Sequence, residues 1–159
     1  MTCNKCQQTN GKAHSFNTIG KMTNGTTIIF TCTADAYKDD DSVNNFQYYK
    51  SHFDAIKGNW IWVIDCRDFN TPLSFETGKL IVKYLLQNHK DQLKGFYLFS
   101  PSIFFNAFIQ LCYPFFPQSS RAKIHTYSDS ILELIADLQR IGMPSKDGHA
   151  LMLKFVKHA

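Results

Sequence analysis

Two groupings in this 159-residue chain are of the kind that does chemistry: Ile64-Asp65-Cys66-Arg67, and Cys3-x-x-Cys6 with His14 downstream. The C-terminal end of a parallel strand is where α/β folds place ligands. A thiolate there becomes a nucleophile if a cation or a nest of backbone N–H groups lowers its pKa. Asp68-Phe69-Asn70 follow instead, bringing an acid and no glycine. Cys66 is therefore expected to be structural, and the chain not to be an enzyme. Asp65, after four apolar residues, is costly to bury and is expected to orient a loop or contact a ligand. Cys3, Cys6 and His14 offer three metal ligands where structural zinc takes four, usually in two pairs. Flexible thiols are the plainer account, and metal binding through Cys3 and Cys6 stays open. His125, between Ile124 and Thr126, reads as a half-buried, satisfied histidine rather than a base or ligand. Neither G-x-x-x-x-G-K-[ST], G-x-G-x-x-G nor G-x-S-x-G occurs, so no cofactor is expected.

Composition narrows the classes further. Hydrophobic residues make up 44% of the chain, enough for one packed domain and too many for whole-chain disorder. Seventeen Lys+Arg against 13 Asp+Glu give a net charge of +4, short of a nucleic-acid footprint. Five cysteines cannot all pair, and no apolar leader opens the sequence, so a reducing, cytoplasmic setting is expected. Basic residues gather at Lys79, Lys83, Lys90, Lys94, Arg121 and Lys123, with Asp91 the acid among them. They read either as a solvated face or as the footprint of an acidic partner. An anionic membrane is the chief candidate, at about 1 kcal/mol per basic residue near its surface.

The elements that must position these residues alternate. Residues 1–25, rich in Asn, Thr, Gly and Lys, read as an arm with a short early strand at 16–20. The domain proper is assigned to 26–159. Strands are expected at 26–31, which is β-branched, at 60–65 and 95–100, apolar and without alternation as when both faces of a sheet are covered, and at 123–127. Between them lie a helix from Val43 to Ile56 capped by the acidic run at 39–41, one over 75–89, and one over 103–113 capped by Ser102. Ser130 and Glu133 form a capping box opening a helix that Gly142 and Pro144 end. Residues 151–156 read as an edge strand or a short packing helix. The order argues for an α/β domain, a single layered unit with a mostly parallel sheet and flanking helices.

The most telling segment is 103–116. Every residue is hydrophobic except Asn106, Gln110 and Pro114, which fall at i, i+4 and i+8. A surface helix needs only one apolar stripe; this one is apolar nearly all round. Something must cover the remainder, whether deep burial, a partner or a hydrophobic ligand.

Trp62-Val-Ile-Asp65, the run from Leu93 through Gly95-Phe96-Tyr97-Leu98-Phe99-Ser100-Pro101 to Phe104, and Tyr113-Pro114-Phe115-Phe116 together resemble the CRAL-TRIO domain. Ala122-Lys123-Ile124 and the stretch from Ile131 to Pro144 continue the likeness, which covers about residues 26–145. This is the lipid-binding module of the yeast phosphatidylinositol-transfer protein type. The chain looks most like the compact versions beside Rho GTPase-activating and neurofibromin-related domains, and is expected to do without the usual helical N-terminal subdomain, the arm at 1–25 standing in its place. The resemblance implies lipid transfer or sensing at membranes, with 103–113 as a mobile gate over a hydrophobic cavity. The gate and pocket residues would be Phe104, Phe105, Phe108, Ile109, Phe115 and Phe116. Lys123 matches the family's phosphoinositide-headgroup lysine, and Lys90, Lys79 and Lys83 would favour anionic membranes. Where phosphoinositide-binding members carry an acid at the end of the second helix, Lys90 stands, with Asp91 next to it.

The leading expectation is thus a cytoplasmic protein, peripheral to membranes, that takes one phospholipid or similar amphiphile. Phe104→Asp and Phe108→Asp are both expected to abolish loading and spare the fold. The alternative is a protein-interaction module with a reduced pocket, docking a partner or a second copy through 103–116.

Overall fold

The computed structural model describes residues 16–35, 41–67, 69 and 72–157. Five strands form one sheet in the order β1-β2-β3-β4-β5: Asn17–Lys21, Thr27–Cys32, Trp60–Asp65, Leu93–Phe99 and Ile124–Tyr127. β1 and β2 make an antiparallel hairpin, and β2 to β5 run parallel. The helices are α1 (Ser42–Ala55), α2 (Pro72–Asn88), α3 (Ile103–Cys112), α4 (Gln118–Arg121), α5 (Ile131–Arg140) and α6 (Ser145–Lys157).

Parallel strands laid down in sequence order and joined by right-handed crossovers send every connecting helix to the same face. α1, α2 and α3 accordingly share one face, and only the chain after β5 is left to cover the other. The side chains follow. Ile28, Phe30, Ile61, Val63, Tyr97 and Phe99 point toward α5 and α6. Ile29, Trp60, Trp62 and Leu93 point toward α1 and α2, and Leu98 lies under α3. With both faces covered, the central strands must be apolar throughout, which is why they do not alternate.

The expected caps are present. Asp41 accepts from Val43 N at 2.7 Å, Ser102 from Phe105 N at 3.1 Å and Ser130 from Glu133 N at 3.1 Å. α5 ends in a Schellman turn: Met143 N donates to Leu138 O (3.0 Å) and Gly142 N to Gln139 O (3.2 Å). Gly142 supplies the positive φ of 121° that this turn requires. The tail resolves in favour of a helix, which begins at Ser145 and carries Leu151 and Phe155 into the core. β1 lies inside the segment read as an arm and extends the sheet; Cys3, Cys6 and His14 fall outside the described residues.

Candidate functional site

β4 ends at Phe99, and Ser100 takes a left-handed backbone (φ 48°) that turns the chain into Pro101 and α3. Ser102 does two things at the helix start. Its Oγ accepts from Phe105 N and donates to Phe69 O at 2.7 Å, tying α3 to the loop after β3. From there the apolar surface divides. Phe105, Phe108 and Cys112 turn inward with Phe116, while Ile103, Phe104, Leu111 and Phe115 face solvent, Phe104 at 55% exposure and Phe115 at 76%. Ile109 is half-buried at the edge of the inner cluster. The helix is therefore core and exposed surface at once, where the sequence alone left one or the other.

Beneath α3 the space is filled by rings. Phe69 meets Phe105 and Phe108 with centroids at 4.7 and 5.4 Å, and Phe75 meets Phe108 at 5.7 Å. Phe108 rests on α2 at Gly78, where an added Cβ would fall 2.8 Å from the ring's Cζ. Phe69 and Phe75 are site residues that sequence reasoning missed. The one signal for Phe69 was an aromatic flanked by Asp68 and Asn70.

Of the expected cationic residues, the fold brings Lys90 and Lys123 together and leaves Lys79 and Lys83 apart from them on α2, Lys79 paired with Glu76 at 3.4 Å. Lys90 and Lys123 flank a half-open crevice whose other walls include Leu86, Phe96, Phe116 and Ser120. Its free volume is about 20 Å³, room for roughly one water and far short of an acyl chain. Lys123 Nζ donates to Lys90 O at 2.7 Å. Burial first, then the charges of Lys94 and Lys90 with some relief from Asp91, hold its ammonium below the usual lysine range. Ser120, 5% exposed, has a buried hydroxyl with no partner. A desolvated lysine among like charges beside an unused hydroxyl is a setting that an anion would stabilise.

Arg121 closes the other side of the exit from α3. Its Nε donates to Phe116 O (3.1 Å), its Nη2 donates to Tyr113 O (2.8 Å), and its guanidinium lies 5.7 Å from the Tyr113 ring centre.

The residues considered for catalysis are structural in their contacts. Asp65 is buried and held by Arg67, with Nε at 2.9 Å from Oδ1 and Nη2 at 2.5 Å from Oδ2. Burial, then the neighbouring Asp65 and Cys32, push the Cys66 thiol well above its ordinary value, opposite to what a nucleophile needs. His125 stacks on Tyr97, ring centres 4.7 Å apart. Among the described residues no cluster of His, Cys, Asp and Glu could hold a metal, and no helix is long and apolar enough to cross a membrane.

The CRAL/TRIO domain model matches residues 43–141, from the first turn of α1 to the residue after α5. That span contains α3, the ring cluster and the crevice. No curated protein matches the chain.

Proposed function

The chain belongs to the CRAL/TRIO domain family, a family of lipophilic-ligand binders, and from that premise we propose that it takes up one membrane amphiphile, a phospholipid or similar lipid, under α3 and catalyses nothing. The acyl chain replaces the rings of Phe69, Phe105 and Phe108. The headgroup lies toward Lys90, Lys123 and Ser120, and the exposed rim of Phe104, Leu111 and Phe115 meets an anionic membrane surface during exchange.

The observation that carries this is the two-sided apolar character of α3, with no charged residue anywhere from Ser102 to Ser120. Lifting the helix in water would expose three buried phenylalanines at roughly 1.5–3 kcal/mol each. The sum, roughly 5–9 kcal/mol, is comparable to the whole stability of an ordinary domain. Opening against hydrocarbon removes most of that cost, so α3 moves where lipid is present and stays shut elsewhere.

Native mass spectrometry after incubation with mixed liposomes tests the proposal. A stoichiometric lipid mass is expected for the wild type and its loss in Phe104→Asp, an exposed position whose change spares the fold. Phe108→Asp is not the fold-neutral probe that the sequence suggested, because its carboxylate would be buried among rings. A clean apo mass in the wild type would overturn the proposal.

One observation favours the docking alternative: the space under α3 is already filled by the chain's own rings. On that account α3 presents its outer rim to a second copy or another protein. An obligate dimer carrying no lipid would establish it.

A further inference from the structure

We propose that Arg121 is an anion-sensitive latch on α3, a regulatory part of the site that rests on the lipid-exchange reading above. The end of a helix leaves carbonyl groups without intrahelical partners. Here Pro117 lacks the N–H that would reach back to the carbonyl of Tyr113, which accepts instead from Phe116 N at 3.0 Å. Arg121 adds side-chain donors from five and eight residues on, with one guanidinium edge spanning the carbonyls of Phe116 and Tyr113. Those two carbonyls bracket Phe115, the most exposed aromatic of the segment.

What Arg121 holds decides what it can exchange. Arg67 is bound to a buried carboxylate, Asp65. Arg140 pairs with Asp137. Arg121, exposed, has no carboxylate partner among the described residues and holds only neutral oxygens. Its bonds to the carbonyls have a charge on the donor side only, whereas a phosphate adds an opposite charge and two oxygens that the fork of arginine matches. A phosphate brought to Arg121 therefore draws it off the carbonyls. At its other end α3 stays anchored through Ser102 to Phe69 O, so release at the exit swings the helix about its first turn. The same place offers Phe115 to hydrocarbon. Phosphate and hydrocarbon arrive there together at an anionic membrane, whereas free phosphate supplies only the first.

Hydrogen exchange of the amides of 103–116 in the full chain tests the latch, with neutral phosphatidylcholine vesicles, phosphatidylcholine–phosphatidylserine vesicles, inorganic phosphate, or sodium chloride of matched ionic strength. In the wild type, anionic vesicles are expected to raise exchange about tenfold over neutral ones. Arg121→Gln, which loses the two-point hold, is expected to show about that rise in buffer alone and no further response to anions. Arg121→Lys keeps the charge and one contact, and is expected to restore part of the protection and of the anion response, which a merely structural role would not do. A rise with inorganic phosphate alone supports the latch with a free anion as trigger. A rise that needs vesicles supports it with the headgroup as trigger. Unchanged protection in Arg121→Gln, or an anion response equal to wild type in that variant, overturns it. Native mass spectra of the same samples separate the two proposals. A clean apo mass with the anion-dependent exchange intact removes lipid uptake and leaves the latch; lipid loading with an inert Arg121 does the reverse.

Discussion

The two faces of the sheet are built to different ends from similar materials. On one, Leu134, Leu138, Leu151 and Phe155 are fully buried, and Phe155 sits edge-on to Phe30 and Phe99 at 5.2 and 5.1 Å. The last turn of α6 is pinned there by Arg67, whose Nη2 donates to Phe155 O at 2.9 Å while its charge is met by Asp65. On the other, α3 presents rings inward and rings outward, and its exit is held by an arginine on two carbonyls. Core packing closed by an arginine already paired with a buried carboxylate has no competitor in solution. Burial that stops halfway round a helix, closed by bonds to neutral oxygens, has two: hydrocarbon and phosphate. Fixed and movable helices on one sheet thus differ less in how much they bury than in what else could satisfy the same groups.

The largest expected effect comes from emptying each face in turn. Phe155→Ala should cost ~3–5 kcal/mol in urea unfolding, the usual range for a buried aromatic whose surroundings cannot collapse. Phe108→Ala should cost about half of that, because Phe69 and Phe75 lie against its ring and can close the gap. Its mark should be local instead, as faster amide exchange over 103–116. Equal global losses from the two variants would erase the distinction between the faces.

Much of this arrangement is legible in the sequence, for identifiable reasons. Parallel strands covered on both sides must be unbroken apolar runs, and the capping residues Asp41, Ser102 and Ser130 mark helix starts by chemistry that does not depend on tertiary context. α6 was half visible: its apolar residues lie in its second half, and Gly148 weakens the helix signal in the first. α4 is a single turn, too short to show a period. The site is less legible because its logic is relational. An all-round apolar helix does not say which side is buried. Gly78 acquires meaning only when Phe108 is placed on it. Ser120 is an ordinary serine until the fold buries its hydroxyl without a partner. Lys90 and Lys123 were both nameable from charge and resemblance, but their closeness, a 2.7 Å bond across 33 residues, is a product of topology.

A smaller effect is expected where the movable face meets its support. In Gly78→Ala the new methyl would lie 2.8 Å from Phe108 Cζ, and the ring, wedged between Phe69 and Phe75, can yield only by carrying α3 outward. Overpacking of this kind costs ~1–3 kcal/mol, and about 1 kcal/mol returns from the better helix propensity of alanine. Thermal stability should therefore shift by only a few degrees, while exchange over 103–116 rises. A lowered melting temperature with α3 still fully protected would mean that the strain had gone into α2, and that α3 is not the softer partner.

The smallest effect separates the faces by pH. Tyr84 of α2 donates to Asp54 of α1, which also receives Lys50 Nζ at 3.3 Å and lies 3.0 Å from His89 Nε2. Burial, then the bond to Asp54 and its charge, raise the Tyr84 phenol to about 12, and the Tyr84 bond chiefly holds the Asp54 carboxyl below its ordinary 3.8. A phenol whose folded pKa is raised contributes stability that is complete below pH 10 and is lost as pH rises through about 12. A carboxyl whose folded pKa is depressed contributes above its ordinary value and is lost as pH falls through the folded one. On the opposite face Tyr127 donates to Asp137 at 2.7 Å, and burial foremost, with Asp137, raises its phenol further still. Tyr84→Phe should remove part of both the acid and the alkaline loss, at less than about 1 kcal/mol for so exposed a pair. Tyr127→Phe should remove part of the alkaline loss on its own face. If both variants leave the unfolding free energy between pH 10 and 12 unchanged, neither tyrosine clasp contributes on its face, and the contrast between the two faces rests on their apolar packing and their arginines.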